Sequence, residues 1–222
     1  IVCMICMPSR WAEEVDADMI PWVVLERLYL YYSYVESLPP EINWVSSQML
    51  GEALGISPDL VRKDMTYCDI KGKPRQGYPV QELKNYLRKL LKLDVNVKSV
   101  IVGAGRLGSA LANYDGLRKN NMQVLALFDV DPEKVGKNLG DIPILALSEL
   151  EGFVKEKHVQ CGVITVPANS AQQVCDLLVS AGVRAIWNFA PAALKVPHHV
   201  QLRNENIVQG FVLLRIRMLE VN

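Results

Sequence analysis

Three glycines and one aspartate carry the most specific chemistry in this sequence. Gly103, Gly105 and Gly108 stand in VIVGAGRLGSAL with the spacing GxGxxG, after a β-like run and before a helical one. That context suits a dinucleotide pyrophosphate: the first two glycines let backbone amides approach the phosphates, and the third lets the helix pack closely on the strand. The helix start adds the positive end of its dipole. Asp129 closes the next β-like run, VLALFD, about 20 residues on, where a carboxylate accepts hydrogen bonds from the adenosine ribose and disfavours a 2′-phosphate. The pattern predicts NAD(H). The same spacing also fits a turn that only packs a helix, or one that serves another adenosine ligand such as coenzyme A.

A dehydrogenase needs, in addition, a proton donor or acceptor within hydrogen-bond reach of the reacting oxygen. His158 lies in the polar stretch KEKHVQ, and His198 and His199 follow Pro197 in a loop; all three read as surface histidines. Cys161 and Cys175 sit in apolar contexts where a thiol is inert. Roughly 110 residues follow Val97, enough for one compact α/β unit and too few for a separate substrate domain. The nucleotide is predicted to be bound without a reaction, so no catalytic residue is assigned.

Composition sets the frame. The 222 residues suffice for two modest domains, half of them are apolar, and 24 basic residues cancel 24 acidic ones, so any anion-binding surface must come from local clustering. The five cysteines are odd in number and scattered, unlike a secreted disulfide scaffold. Cys3 and Cys6 form one CxxC without the second pair that a structural zinc needs, and no metal is predicted. The opening IVCMICMP lacks the basic flank of a secretion signal, and no segment reaches the roughly 18 apolar residues of a membrane span. The expectation is a cytoplasmic protein.

The elements that must position these residues fall into two kinds. Residues 20–79 read as successive helices: Pro21 opens one whose stripe is Leu25, Leu28, Tyr32 and Val35, and Pro39 and Pro40 stop it. Ser46 and Ser47 precede a second helix that meets Gly55, and Ser57, Pro58 and Asp59 open a third that reaches about Tyr67. Residues 80–96 form an amphipathic connecting helix. Over 97–205, SVIVG, VLALFD, CGVITVP and AIWNFAP alternate with helical runs, the signature of parallel strands with crossover helices. A last helix is expected over 206–222, and residues 1–19 form an extension without an assigned role.

Gly51, Gly55 and Val61 have the spacing of a helix-turn-helix, with a small residue, a turn glycine and an apolar anchor. Arg62 and Lys63 cannot both face the core with Leu60, Val61 and Met65, so they face out. Lys71, Lys73 and Arg75 alternate around Gly72 and Pro74, which suits a hairpin wing laid along a phosphate backbone. Between Ser57 and Tyr78 five basic residues oppose three acidic ones, a modest excess that favours two copies on one DNA site. A helical protein-interaction domain with a solvated basic face shares this pattern.

Winged helix, connecting helix, one Rossmann-like unit and a last helix, in that order, resemble the Rex family of bacterial redox-sensing repressors. SSQMLGEALGISPDLVRKDMTY, GKPRQGY, VGAGRLGSALANYDG, FDVDPEKVG and TVPANSAQQVCDLLVSAGVRAIWNFAP carry the likeness from about Ile20 to the C-terminus. The resemblance implies an α/β chain with a helical winged-helix domain, a parallel Rossmann-like sheet and a C-terminal helix swapped between the subunits of a homodimer. It implies an inverted-repeat operator released when NADH binds. Lys63 would reach base edges, with Ser47 and Ser57 beside it, and Arg62, Lys71, Lys73 and Arg75 would hold phosphates. Gly103, Ala104, Gly105, Arg106, Leu107 and Gly108 would take the pyrophosphate, Asp129 and Val130 the ribose, and Val166, Pro167, Asn188, Phe189, Ala190 and Pro191 the nicotinamide end.

Two departures follow from the same likeness. Ser33 stands where the family commonly has an arginine in the first helix, and Asn206 where an aspartate opens the last helix. With Tyr114 they fall at the family's switch and dimer positions. Losing both charges together leaves a neutral pair, which implies a weaker or altered response to NADH. Pro74 and Gln76 also depart from a more glycine-rich wing. Two rival functions share the sequence features: a small NAD-dependent oxidoreductase, and a coenzyme A or adenine nucleotide binding module.

Overall fold

The computed structural model describes residues 20–220; the extension 1–19, with Cys3 and Cys6, and the final two residues lie outside them. The chain divides into two compact units, one ending at Asp94 and the other beginning at Val95.

The first unit is helical apart from one short ladder. Helix α1 (Trp22–Ser37) buries Val24, Leu28, Tyr31, Tyr32 and Val35, a face set by steps of three and four residues. Strand β1 (Trp44–Val45) follows, then α2 (Ser47–Leu54), whose first turn is capped by the Ser46 hydroxyl accepting from the Met49 amide at 3.1 Å. Gly55 ends α2 in the left-handed conformation, and a Cβ on Gly51 would collide with the Ile56 carbonyl, so these helices pack closely only with glycine there. Helix α3 (Pro58–Asp64) starts with Ser57 as cap, Pro58 in its first turn and Asp59 beside the positive dipole end. It runs on as a 3-10 turn through Tyr67. Strand β2 (Tyr78–Pro79) pairs antiparallel with β1, and α4 (Val80–Leu90) turns Leu83, Leu87 and Leu90 into the core of the unit.

The second unit is an α/β layer structure. In order it contains β3 (Val97–Val102), α5 (Arg106–Ala112), α6 (Asp115–Lys119), β4 (Met122–Asp129), β5 (Asn138–Leu139), β6 (Ile142–Ala146), α7 (Leu150–Lys157), β7 (Cys161–Ile164), α8 (Ala168–Ser180), β8 (Ala185–Asn188), β9 (Gln201–Asn204) and α9 (Ile207–Glu220). The seven strands lie in the order β5-β6-β4-β3-β7-β8-β9, parallel throughout except for the β5–β6 pair. Side-chain alternation divides the central strands between two cores. Val100, Val102, Ala126 and Phe128 pack on one face with α7 and α8 residues such as Val154 and Leu178, and Ile101, Leu127 and Val163 on the other. Among the described residues no helix is long and apolar enough to cross a membrane.

This strand order has one topological switch point. From β3 the chain winds outward through β4 and β6, then returns to β7 on the other side of β3 and winds the opposite way through β8 and β9. A crevice opens at the carboxyl ends of strands at such a point, and it is where open α/β sheets bind ligands.

Candidate functional site

The loops after β3 and β7 meet at that crevice. Gly103 leaves β3 with φ of 107°, a conformation that an L side chain adopts only under strain. Its amide donates to the Phe128 carbonyl at 2.8 Å. A Cβ on Gly103 would stand 2.8 Å from Thr165 Oγ1, and one on Gly108 would collide with the Gly103 carbonyl. Gly105 caps α5 and has open space where a Cβ would point. Two glycines are therefore required by packing and the third by approach from outside, a cradle that fits a pyrophosphate. Arg106 is exposed at the first position of α5, Leu107 is half-buried and Ala104 is buried beneath them.

Thr165, which sequence reasoning missed, holds the two loops together. Its hydroxyl donates to the carbonyls of Val102 at 3.1 Å and Gly103 at 2.9 Å. The only sequence signal was a hydroxyl at the end of an apolar β-like run.

Asp129, at the end of β4, is fixed before any ligand arrives. Its carboxylate accepts from the Ala104 amide at 2.8 Å, the Asp131 amide at 2.9 Å and the Lys134 ammonium at 3.1 Å. Burial alone would raise its pKa; the Asp131 amide, Lys134 and the Ala104 amide outweigh that and hold it below the usual 3.8. The depressed folded pKa makes its contribution to stability fully present at neutral pH and lost as pH falls below about 4 through the folded value. Asp129→Asn is expected to flatten the acid limb of the stability curve below about pH 4, measured by urea unfolding of the chain at a series of pH values followed by circular dichroism. Val130, the next residue, is exposed.

The loop after β8 borders the same end of the sheet. Asn188 is buried, and its side-chain amide donates to the carbonyls of Ala190 at 3.2 Å and Ala192 at 3.0 Å and to Asn204 Oδ1 at 2.9 Å, while its Oδ1 accepts from the Ala190 amide at 3.0 Å. Its polar atoms are thus engaged in shaping the loop that carries Phe189, Ala190 and Pro191. The Phe189 ring packs against Trp187 with centroids 4.8 Å apart. Val166 is half-buried, and Pro167 is exposed at the N-terminal end of α8.

His158, His198 and His199 are exposed. Burial pushes the Cys161 thiol up to about 11, and burial with the neighbouring Asp176 raises that of Cys175. Among the described residues no cluster of three metal-ligating side chains occurs. A cleft of about 770 Å³ lies at the opposite, amino-terminal end of β4, lined by Tyr114, Asp115, Arg118, Met122 and Ile142. It is remote from the glycine turn by the sheet's own polarity, and the turn is where the convergent backbone donors are.

In the first unit the structure adds a group that sequence reasoning missed. Asp64, the last residue of α3, is almost fully buried, with Arg27 of α1 donating to both its oxygens at 2.6 Å and the Tyr31 hydroxyl donating to Oδ2 at 2.7 Å. The hydrogen bonds from Arg27 raise that guanidinium's pKa, and burial followed by the bond to Asp64 raises that of Tyr31. This charge, counted in the sequence against the basic stretch, is neutralised inside the fold. Arg62 is exposed and donates to Ser47 Oγ at 2.9 Å and to Asp59, joining the start of α2 to α3; Ser57 serves as the α3 cap, its hydroxyl accepting from Leu60 at 3.3 Å. Lys63 is exposed.

The wing is a tight turn. Lys73 and Gly77 form an antiparallel bridge, and the Gln76 amide donates to the Lys73 carbonyl at 3.1 Å. The Lys73 ammonium lies 4.8 Å from the Trp44 ring centroid, a cation–π contact. Lys71 and Arg75 are exposed, and Arg75 has a φ of 66°, a conformation that favours glycine.

The comparisons agree with both units. Residues 19–66 match the model of a putative DNA-binding protein N-terminus, and residues 94–192 match that of a CoA binding domain. The redox-sensing transcriptional repressor Rex of Brevibacillus brevis is 40% identical over 194 residues, 87% of this chain and 94% of the relative. That of Chloroflexus aggregans is 42% identical over 188 residues, 84% and 89% of the two chains. This chain belongs to the Rex family of redox-sensing transcriptional repressors. The crystal structure of RSP, a Rex-family repressor, superimposes with a TM-score of 0.83 at 33% identity, covering 91% of this chain and 95% of RSP. RSP in complex with β-NAD+ and operator DNA superimposes with a TM-score of 0.85, covering 91% and 94%. A complex of RSP with β-NADH is a further neighbour at a TM-score of 0.83.

The structure places the three expected switch and dimer positions as follows. Ser33 is exposed on α1, and Tyr114 is exposed at the rim of the cleft. Asn206 precedes α9 and caps it, its Oδ1 and carbonyl accepting from the Gln209 amide at 3.2 and 3.0 Å, a role that needs no charge. In α9 itself no residue is buried, and Phe211, Leu214 and Met218 are each more than 60% exposed.

Proposed function

We propose that this chain is a transcriptional repressor that binds an inverted-repeat operator as a homodimer and releases it when NADH occupies the Rossmann-like unit. The observation that carries the reading is the pairing, in one chain, of a helix-turn-helix with a glycine cradle whose ribose acid is already held by three donors. The nucleotide is an effector and not a reagent: cofactor and operator each weaken the other's binding, and no bond is made or broken. The exposed histidines and the raised thiols support binding without catalysis. Operator binding places its action in the cytoplasm.

Gly103 to Gly108 hold the pyrophosphate, Asp129 and Val130 the ribose, and the loops at Val166–Pro167 and Asn188–Pro191 the nicotinamide end. Lys63 reads base edges, while Arg62, Lys71, Lys73 and Arg75 contact phosphates, with Ser47 and Ser57 fixing the helix that presents them. The exposed apolar side chains of α9, with Phe211, Leu214 and Met218 among them, support a second copy as its partner. With Ser33 and Asn206 both uncharged, the open and closed dimers are distinguished through other contacts, and release requires more NADH than a charged pair would need.

Arg75→Gly is expected to relieve the positive φ, leaving stability unchanged or higher by up to about 1 kcal/mol. It should also weaken operator binding and lower the salt slope by about one charge. Fluorescence anisotropy at several salt concentrations, beside a melting curve, measures both.

The decisive experiment selects duplexes from a random pool and titrates NADH and NAD+ into the resulting complex at two salt concentrations. Release by NADH at concentrations where NAD+ has little effect is expected. Indifference to duplex DNA, or equal binding in both nucleotides, overturns the reading. The coenzyme A model over residues 94–192 keeps one rival specific. Thermal shifts with NADH, NAD+, ATP and coenzyme A separate it, because a ligand confined to the folded state raises its melting temperature.

A further inference from the structure

Lys134 stands beside the ribose acid in a place that the assignments above leave without a role. It follows a single turn built on Asp131, whose carbonyl accepts from the amides of Lys134 at 3.0 Å and Val135 at 3.1 Å, and whose side chain accepts from the Glu133 amide at 2.9 Å. The turn holds the Lys134 ammonium 3.1 Å from Asp129 Oδ2 and 3.5 Å from Asp131 Oδ2. The ammonium is partly exposed, so it faces both the carboxylates and solvent.

An ionised carboxylate offers about four acceptor positions. Asp129 already uses three, for the amides of Ala104 and Asp131 and for Lys134. The two amides belong to the backbone that shapes the glycine turn and the loop after β4. Lys134 is the one donor on a flexible stem, hence the one that can yield. A vicinal diol that donates to Asp129 therefore competes with Lys134, whereas an added phosphate would meet Asp129 and Asp131 as repelling charges and Lys134 as an attractive one.

We propose that Lys134 is a specificity-determining residue for the adenosine end: a cation able to bind a 2′-phosphate, masked in this chain by Asp129. The inference rests on the nucleotide reading of the glycine turn. With the carboxylate in place the ammonium is neutralised and the site takes NAD(H); with the carboxylate removed the same ammonium recruits the 2′-phosphorylated nucleotide. Selectivity thus belongs to the pair and not to the acid alone.

The test compares the full chain with Lys134→Met, Asp129→Ser and the double variant, measuring NADH and NADPH dissociation constants by calorimetry and confirming folding by circular dichroism. The unmodified chain is expected to prefer NADH. Lys134→Met alone removes an ammonium that Asp129 already neutralises, so it should move both NADH and NADPH by less than threefold. Asp129→Ser should reverse the preference to NADPH by about tenfold, and the double variant should lose that gain. An Asp129→Ser protein that still prefers NADH, or a double variant that keeps the NADPH preference, overturns the proposal. Should Asp129→Ser fail to fold, Asp129→Asn with and without Lys134→Met decides instead, and an equal NADPH-to-NADH ratio in those two proteins overturns it. An unmodified chain that binds neither nucleotide sinks the nucleotide reading itself, a result distinct from any change of ratio.

Discussion

Gly108→Ala is expected to destabilise the second unit by about 3 kcal/mol and to weaken NADH binding by more than a hundredfold, the first magnitude following from overpacking together with a broken buried hydrogen bond. The added methyl would collide with the Gly103 carbonyl and stand 2.8 Å from Thr165 Oγ1. Neither neighbour can withdraw cheaply. The carbonyl belongs to a residue already at positive φ, and the hydroxyl is tied to the Val102 and Gly103 carbonyls. The response is a shift of α5 away from β3, which dismantles the turn that would hold the phosphates. Gly105→Ala supplies the contrast, because nothing lies within 4 Å of its added methyl. It should leave stability within about 1 kcal/mol, the ordinary range for exposed changes, and weaken only the nucleotide. Urea denaturation with calorimetric NADH titration separates the two; equal stability loss in both variants would contradict the packing argument.

Asp64→Ala is the second large effect. It strands the Arg27 guanidinium and the Tyr31 hydroxyl beside an apolar core that includes Leu28, Leu50 and Val61. Breaking a buried pair by removing one partner costs about 3–5 kcal/mol, a large part of the stability of a small domain. Operator binding should be lost, while the second unit keeps its nucleotide affinity. Replacing the whole group with apolar residues, as Arg27→Met, Tyr31→Phe and Asp64→Leu together, should restore most of the stability, since such clusters are often neutral or better when fully converted. Guanidine melts of the three proteins, each paired with NADH and duplex titrations, check the sign and the order. An Asp64→Ala protein as stable as the parent would show that the group contributes little.

What the sequence made legible was mostly local. Ser46, Gly55, Ser57 and Pro58 mark helix ends by their own chemistry, and the structure places caps and turns there. The four apolar β-like runs correspond to β3, β4, β7 and β8 because buried parallel strands need continuous apolar side chains. Strand β6 was missed because IPILA carries a proline next to its start, and β9 because QLRN is polar at the sheet's edge. The groups that lock the sites were missed for a different reason. Arg27 meets Asp64 across 37 positions and Thr165 meets Gly103 across 62, and no periodicity in a single chain links residues that far apart. Lys134 lies only five positions from Asp129, but a lysine in a polar stretch carries no signal of its own, since lysines are mostly exposed.

The rims of the seven-stranded sheet have a consequence of their own. One rim is β5, only two residues long, and the other is β9, four residues with Gln201, Arg203 and Asn204 exposed. Short borders with charged and amide side chains are poor templates for cross-β growth. Crowding this protein should therefore produce discrete associations through α9, while amyloid-reporting dyes stay dark until the sheet itself has come apart.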